Sequence, residues 1–270
     1  MVTDIRSARA SKFAIRAVKD FAAEAPNAGT VPAGARNALR SILPPWFLIV
    51  TARPEIQSSG LYPDELAYIE RAVPKRRAEF GTARVCARRA LDRLGAPMCS
   101  LLPHKDRSPR WPQGYVGSIS HTEDCCAVAI TRSDGIAGFG IDIEPRAPLQ
   151  EGLEELICTE NERLWLARHS ANERAKLGKL VFSAKEAVYK CQYIMTKTFV
   201  DFKDVDLAID TCRGTFSVLN LNVIGKPWRE KILRLEGKFL FSPQVIVTAA
   251  VVFEENCPHT NNARVLSFHQ

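Results

Sequence analysis

The chain has 270 residues, 46% of them hydrophobic and 25% charged, and 37 Lys and Arg against 30 Asp and Glu give a net charge of +7. That balance reads as a soluble globular protein with material for one large core or two small ones, and no apolar run reaches the roughly 20 residues of a membrane-spanning helix. Eight cysteines without a Cys-x-x-Cys spacing, and no secretory leader to be read at the start, predict buried reduced thiols and a cytoplasmic location, while the positive charge asks for an acidic partner: nucleic acid, a phosphorylated cofactor or an acidic protein.

In chain order, residues 1–40 read as a basic N-terminal extension, with a short helix over Ala10 to Ala23 and then a linker through Pro26 to Gly29 and Pro32 to Gly34. Phe47 to Thr51 reads as a strand, and Tyr62 to Ile69 as a helix with Asp64 and Glu65 in its first turn. Pro74 opens a stronger helix in which Phe80, Ala83, Ala87, Leu91 and Leu94 recur at spacings of three and four, and Gly95 supplies its stop. The polar side of that helix carries Arg76, Arg77, Arg84 and Arg88, either a solvated face or forked donors suited to phosphate. The turn-rich stretch from Ala96 to Gln113 holds Lys105, Arg107 and Arg110 within reach of a ligand. Val116 to His121 and Cys125 to Thr131 then predict a hairpin with His121 at its turn, followed by a turn at Ser133 to Gly135.

The run from Gly138 to Pro145 reads as a short strand whose period of two puts Ile141 and Ile143 on one face and Asp142 and Glu144 on the other. Two exposed acids aimed together suit a hard divalent cation such as Mg²⁺ or form a solvated face. Thr159 and Glu162 have capping-box spacing at a helix start, and a second helix runs from about Lys176 to Tyr193. Within it Glu186 lies between Lys185 and Lys190, in surface salt bridges or in a site. Strands are predicted at 205–209, 215–221, 238–241 and 245–253. Each half of the chain thus runs strand, helix start, long helix, strands. The pattern predicts a pseudo-duplicated α/β (α+β) fold with halves 41–134 and 135–270 after the extension, and a ligand cleft between them.

Three of these segments, Gly117 to His121, Gly140 to Pro145 and Phe182 to Lys190, closely resemble in order and spacing the motifs of the Sfp-type 4'-phosphopantetheinyl transferases. Val73 to Phe80 and Trp111-Pro112 resemble the upstream segments of the enterobactin-synthetase component D subgroup. The resemblance implies an enzyme that transfers the phosphopantetheine arm of coenzyme A to a serine of an acyl, peptidyl or aryl carrier protein. It implies Asp142, Glu144 and Glu186 as ligands of Mg²⁺, with Mn²⁺ as the alternative ion, and Glu186 or a water as the base. Lys190 matches the lysine at the leaving phosphate, His121 and Lys185 match phosphate contacts, and Arg76 and Arg84 match residues that hold the nucleotide end. The 96–110 loop lacks an unambiguous lysine match, which leaves Lys105 or Arg107 for that place. The partners implied are coenzyme A and a carrier protein, with no nucleic acid and a monomeric chain. A Mg²⁺-dependent phosphohydrolase or nuclease is the competing enzyme reading of the same acids, and a nucleic-acid-binding surface the non-catalytic one.

Overall fold

Antiparallel pairing sorts the strands into two sheets in the computed structural model, which describes residues 31–57, 59–221 and 223–255. The first sheet has the order β1 (Leu48–Ala52), β3 (Cys126–Arg132), β2 (Tyr115–His121). The second runs β4 (Ile136–Pro145), β8 (Val245–Phe253), β7 (Glu236–Phe241), β6 (Thr215–Leu221), β5 (Val205–Asp210). The chain crosses from one sheet to the other at Ser133 to Gly135, where Gly135 takes a φ of +76°. The helix predicted over residues 10–23 lies outside the described residues.

Residues 31–40 are helix and not linker. Helix α1 (Val31–Ile42) buries Ala35, Ala38, Leu39 and Ile42 in a core shared with Phe47, Ile49, Phe139, Ile141, Ile143 and Val247. The stripe has helical spacing, but Pro32 and Gly34 mask it; a proline in the first turn gives up an N–H that has no partner within the helix in any case. Because α1 packs on β1 and on β8, it belongs to the interior of both sheets rather than to an extension.

The helices α2 (Pro63–Ile69) and α3 (Pro74–Arg93) stand where the sequence places them, and Gly95 ends α3 in the left-handed region at φ +71°. Helix α4 (Leu153–Ile157) leads into α5 (Glu160–Leu166), whose capping box forms as predicted. The Glu162 N–H donates to Thr159 Oγ1, and the Thr159 N–H donates to Glu162 Oε2 at 2.8 Å. Helix α6 (Ala171–Thr196) is longer than its predicted range, because the Ser170 hydroxyl caps its start and Lys197, at φ 53°, ends it. Helix α7 (Lys226–Leu233) was not anticipated; Ile232 is its buried residue, which leaves little apolar period to read. Cys86, Cys125, Cys126, Cys158 and Cys191 are buried free thiols, whereas Cys212 is exposed.

The two sheets meet along β2 and β4, each an edge strand of its own sheet. Hydroxyl groups take the place of a backbone ladder there. The Ile141 N–H donates to Ser118 Oγ at 3.0 Å and the Ile143 N–H to Ser120 Oγ at 3.1 Å, so two edge donors are satisfied in the interior. Since α1 is part of the core, Leu39→Ala is expected to cost about 2–5 kcal/mol, as other buried leucine truncations do. Urea unfolding should show it; an unchanged midpoint would return α1 to the status of an appendage.

Candidate active site

The site is built where β4 faces α6. Gly138 and Gly140 let the helix backbone lie directly on the strand: a Cβ at Gly138 would come within 2.6 Å of the Cys191 carbonyl oxygen, and one at Gly140 would overlap that of Ala187. Along the same face, two and four residues beyond Gly140, come Asp142 and Glu144. The opposite face of β4 buries Phe139, Ile141 and Ile143 beneath α1 and the first sheet. Alternation therefore aims both acids at α6 as predicted, but into the protein. Asp142, Glu144 and Glu186 are 0%, 3% and 5% exposed, which corrects the expectation of an exposed pair.

Each buried carboxylate meets a cation or a hydroxyl. Asp142 Oδ1 accepts from Ser120 Oγ and from Lys190 Nζ, both at 2.7 Å, and its Oδ2 accepts from Ser183 Oγ at 3.0 Å. Ser183 Oγ lies 3.0 Å from the hydroxyl of Thr248, the residue directly opposite Asp142 on β8. Lys190 Nζ also donates to the Ile141 carbonyl at 2.9 Å and stands 4.0 Å from Glu186 Oε2, so it joins two of the predicted acids. Glu144 Oε2 is 3.0 Å from Lys179 Nζ, with both side chains almost wholly buried. Among the described residues no group of three His, Cys, Asp or Glu side chains is gathered closely enough to hold a metal ion. In this arrangement the lysines supply the positive charge.

A second cluster forms where α3 meets the end of β2. Glu79 lies 3.7 Å from Arg76 and 3.8 Å from His121 Nδ1, which brings together two predicted phosphate contacts that remain partly exposed. Arg84 is different. It is buried, its Nε donates to the Leu101 carbonyl at 2.7 Å, and its guanidinium lies 4.0 Å above the Phe80 ring. Desolvation by burial, followed by the neighbouring charge of Arg76, lowers its pKa to about 10. Arg88 is structural: it pairs with the buried Glu65 at 2.7 Å and donates to the carbonyls of Gly60 and Cys99. The basic face read from the sequence is thus partly interior.

Lys185 points away from the β4 cluster, toward α5. Its ammonium meets Glu162 at 2.7 Å, the Ile157 carbonyl at 2.9 Å and the Phe202 carbonyl at 2.6 Å, and both members of the ion pair are 1% exposed. Burial lowers the Lys185 pKa and raises that of Glu162 against their mutual attraction. The 96–110 loop docks on α6 through neither Lys105 nor Arg107 but through Asp106, whose Oδ2 accepts from Tyr193 Oη at 3.0 Å. Desolvation works against the Asp106 charge, yet the hydrogen bonds from Ser108 and Tyr193 and the charge of Lys197 hold its pKa down to about 2.

The description "4'-phosphopantetheinyl transferase N-terminal domain" matches residues 64–131, and "4'-phosphopantetheinyl transferase superfamily" matches residues 138–246. The chain is 38% identical over 221 residues to the 4'-phosphopantetheinyl transferase Svp of Streptomyces mobaraensis, covering 79% of this chain and 89% of that one. The chain belongs to the 4'-phosphopantetheinyl transferases.

Other relatives include the transferase PptT of Mycobacterium tuberculosis, 36% identical over 63% of this chain and 77% of its own, and enterobactin synthase component D of Salmonella typhi, 37% identical over 43% of this chain and 48% of its own. A holo-(acyl-carrier-protein) synthase from Bacillus anthracis in complex with CoA aligns at a TM-score of 0.34 and 22% identity, covering 45% of this chain and 99% of that one. Within the transferase site, sequence reasoning missed Ser120, Ser183, Thr248 and Lys179. Lys179 had a signal, since it lies seven residues before Glu186 and so on the same stripe of α6. With Lys185 turned toward α5, Lys185→Ala is expected to destabilise the transferase by about 3–5 kcal/mol through the stranded Glu162. The KM for coenzyme A of the folded fraction should stay within error of wild type; a several-fold rise without loss of stability would put Lys185 back among the ligand contacts.

Proposed function

We infer that the β4 and α6 cluster is the centre at which this transferase moves the 4'-phosphopantetheine of coenzyme A to a serine hydroxyl of an acyl, peptidyl or aryl carrier protein. The observation that carries the reading is Lys190, held 2.7 Å from Asp142 and 4.0 Å from Glu186 in a chain matched by both family descriptions. In the transfer, the serine oxygen bonds to the β-phosphorus of coenzyme A, the bond to the bridging oxygen of the pyrophosphate breaks, and 3',5'-adenosine bisphosphate leaves. Such a reaction asks the protein for alignment and for charge placed where charge develops. The Lys190 ammonium offsets the negative charge of the departing phosphate. Glu186, one turn before it on α6, orients the serine hydroxyl and accepts its proton, directly or through a water, as the new bond forms. Arg76 and His121, steadied by Glu79, and the buried Arg84 receive phosphates at the nucleotide end.

Asp142, Glu144 and Glu186 offer the hard oxygen donors that Mg²⁺ or Mn²⁺ takes, beside the ammonium groups of Lys179 and Lys190. These residues fit a divalent cation by donor chemistry, since Mg²⁺ takes only one or two protein carboxylates and fills its other positions with water and phosphate oxygens. When bound, the cation supplies neutralisation of the pyrophosphate. The protein acts as a cytoplasmic monomer without nucleic acid, and no helix among the described residues is long and apolar enough to cross a membrane. No observation favours a phosphohydrolase or nuclease.

Two measurements test the reading. Mass spectrometry of an apo carrier protein mixed with coenzyme A, Mg²⁺ and the transferase should show a gain of one phosphopantetheine. Asp142→Ala should abolish the gain and lower stability by about 3–5 kcal/mol, since it leaves Lys190 without its buried partner. Carriers of several types left unmodified by wild type would end the proposal. In steady-state kinetics, added salt should depress kcat/KM steeply for an acidic carrier and only slightly for coenzyme A. Exposed charges such as Lys75, Arg76 and Arg77 are screened over about 8 Å at physiological ionic strength, whereas buried pairs are screened far less. Equal slopes would mean that apolar contacts select the carrier.

A further inference from the structure

Helix α6 presents four side chains to β4 at positions 179, 183, 186 and 190, a spacing of four, three and four that forms one stripe. Ser183 and Lys190 engage Asp142. Lys179 engages Glu144: its Nζ lies 3.0 Å from Glu144 Oε2, the side chains are 5% and 4% exposed, and the ammonium sits 5.6 Å from the Phe182 ring centroid. This is the one lysine of the stripe with no counterpart in the motifs read from the sequence. A carboxylate buried to this degree keeps its charge at tolerable cost only beside a cation.

We propose that Lys179 is a positioning residue that holds the Glu144 carboxylate in place while the site lacks a divalent cation, and so sets how tightly the cation binds. The proposal rests on the reading of Asp142, Glu144 and Glu186 as cation ligands. Lys179 and the cation share the same carboxylate and carry like charge, so each weakens the hold of the other, and the coupling is reciprocal. Removal of Lys179 therefore has two consequences of opposite sign. The cation-free protein loses stability, because a buried carboxylate loses an ammonium 3.0 Å away. The cation binds more tightly, because it no longer competes with an ammonium 3.0 Å from the carboxylate. A lysine that merely packs the interface would give the first effect alone.

The test is Mn²⁺ titration followed by the electron paramagnetic resonance of the free ion, at saturating coenzyme A, together with thermal melts at increasing Mg²⁺. Wild type should bind Mn²⁺ and gain Tm with Mg²⁺. Lys179→Met should melt lower without the cation, bind Mn²⁺ about fivefold or more tightly, and recover most of its lost Tm as Mg²⁺ is added. Lys179→Gln, which keeps a hydrogen-bond donor but no charge, should show the same tightening if the Met variant does not fold. Lys179→Arg should return the affinity to within about twofold of wild type. An Lys179→Met or Lys179→Gln affinity equal to wild type, with melts shifted in parallel at every Mg²⁺ concentration, overturns the role of Lys179. A wild type that binds no Mn²⁺, or an Asp142→Asn variant that binds it as wild type does, overturns the reading of the acids as ligands instead.

Discussion

The structure depends on one close approach, the seating of α6 on β4 with no side chain between them at Gly138 and Gly140. At an ordinary helix-on-sheet distance, a row of aliphatic side chains would fill the interface and polar groups farther along would reach solvent. Here the helix is so near that Asp142 and Glu144 fall within hydrogen-bonding range of Ser183, Lys190 and Lys179. Burial then decides the company these acids keep, since an isolated carboxylate in the interior costs several kcal/mol more than a paired one. The two glycines place the charges and the charges dictate the lysines.

Strand β2 connects this cluster to the one on α3. Ser120 donates to Asp142 and accepts from the Ile143 N–H, and one residue further along β2 stands His121, beside Glu79 of α3. A path therefore runs from Arg76 through Glu79 and His121, at 3.7 and 3.8 Å, and by one step of β2 backbone to Ser120, Asp142 and Lys190. The edge-to-edge meeting of the two sheets makes this path local. Had β2 and β4 paired by backbone hydrogen bonds, Ser118 and Ser120 would not be needed as acceptors, and Asp142 would lose one of its donors.

Much of this was legible in the sequence where a period had a single reading. The strands after residue 200 are short runs rich in β-branched and apolar residues bounded by turn residues, α3 has an apolar stripe bounded by Pro74 and Gly95, and Thr159 with Glu162 is a local signal that tertiary packing left intact. Helix α1 was misread because Pro32 and Gly34 speak against a helix locally, while the gain that favours it, burial of Leu39 and Ile42 against Phe139 and Val247, comes from residues a hundred or more positions away. The lysines of α6 show a different limit. Lys185 and Glu186 are adjacent in sequence, but one step along a helix turns the side chain by about 100°, so one faces α5 and the other faces β4. The spacing of Lys185 to Tyr189 and of Glu186 to Lys190 describes two flanks without saying which is which. Arg76 and Arg84 pose the same problem on α3, where only the packing of Phe80 and Leu101 distinguishes an exposed guanidinium from a buried one.

Burial of a lysine beside a glutamate does not by itself mark a site, because this chain contains such pairs of two kinds. Lys185 with Glu162 is closed. The ammonium spends its three donors on one carboxylate and two carbonyls, and the carboxylate also accepts the N–H groups of Thr159 and Leu207, so charge and hydrogen bonds both balance within the protein. The pair ties the entry to α5, the end of α4 and the start of β5 together, and no ligand could improve on it. The cluster on β4 and α6 is built differently, since Asp142, Glu144 and Glu186 lie with Lys179 and Lys190 and with the hydroxyls of Ser120 and Ser183. Apolar residues in the same places would be at least as stable. An interior that gathers ionic groups between two well-packed layers is a local rule broken at a stability cost, and such breaks are expected where a protein must receive a ligand. The two flanks of α6 thus differ in what they meet: Lys185 closes an ion pair with Glu162 of α5, whereas Lys179 and Lys190 meet Glu144 and Asp142 of β4.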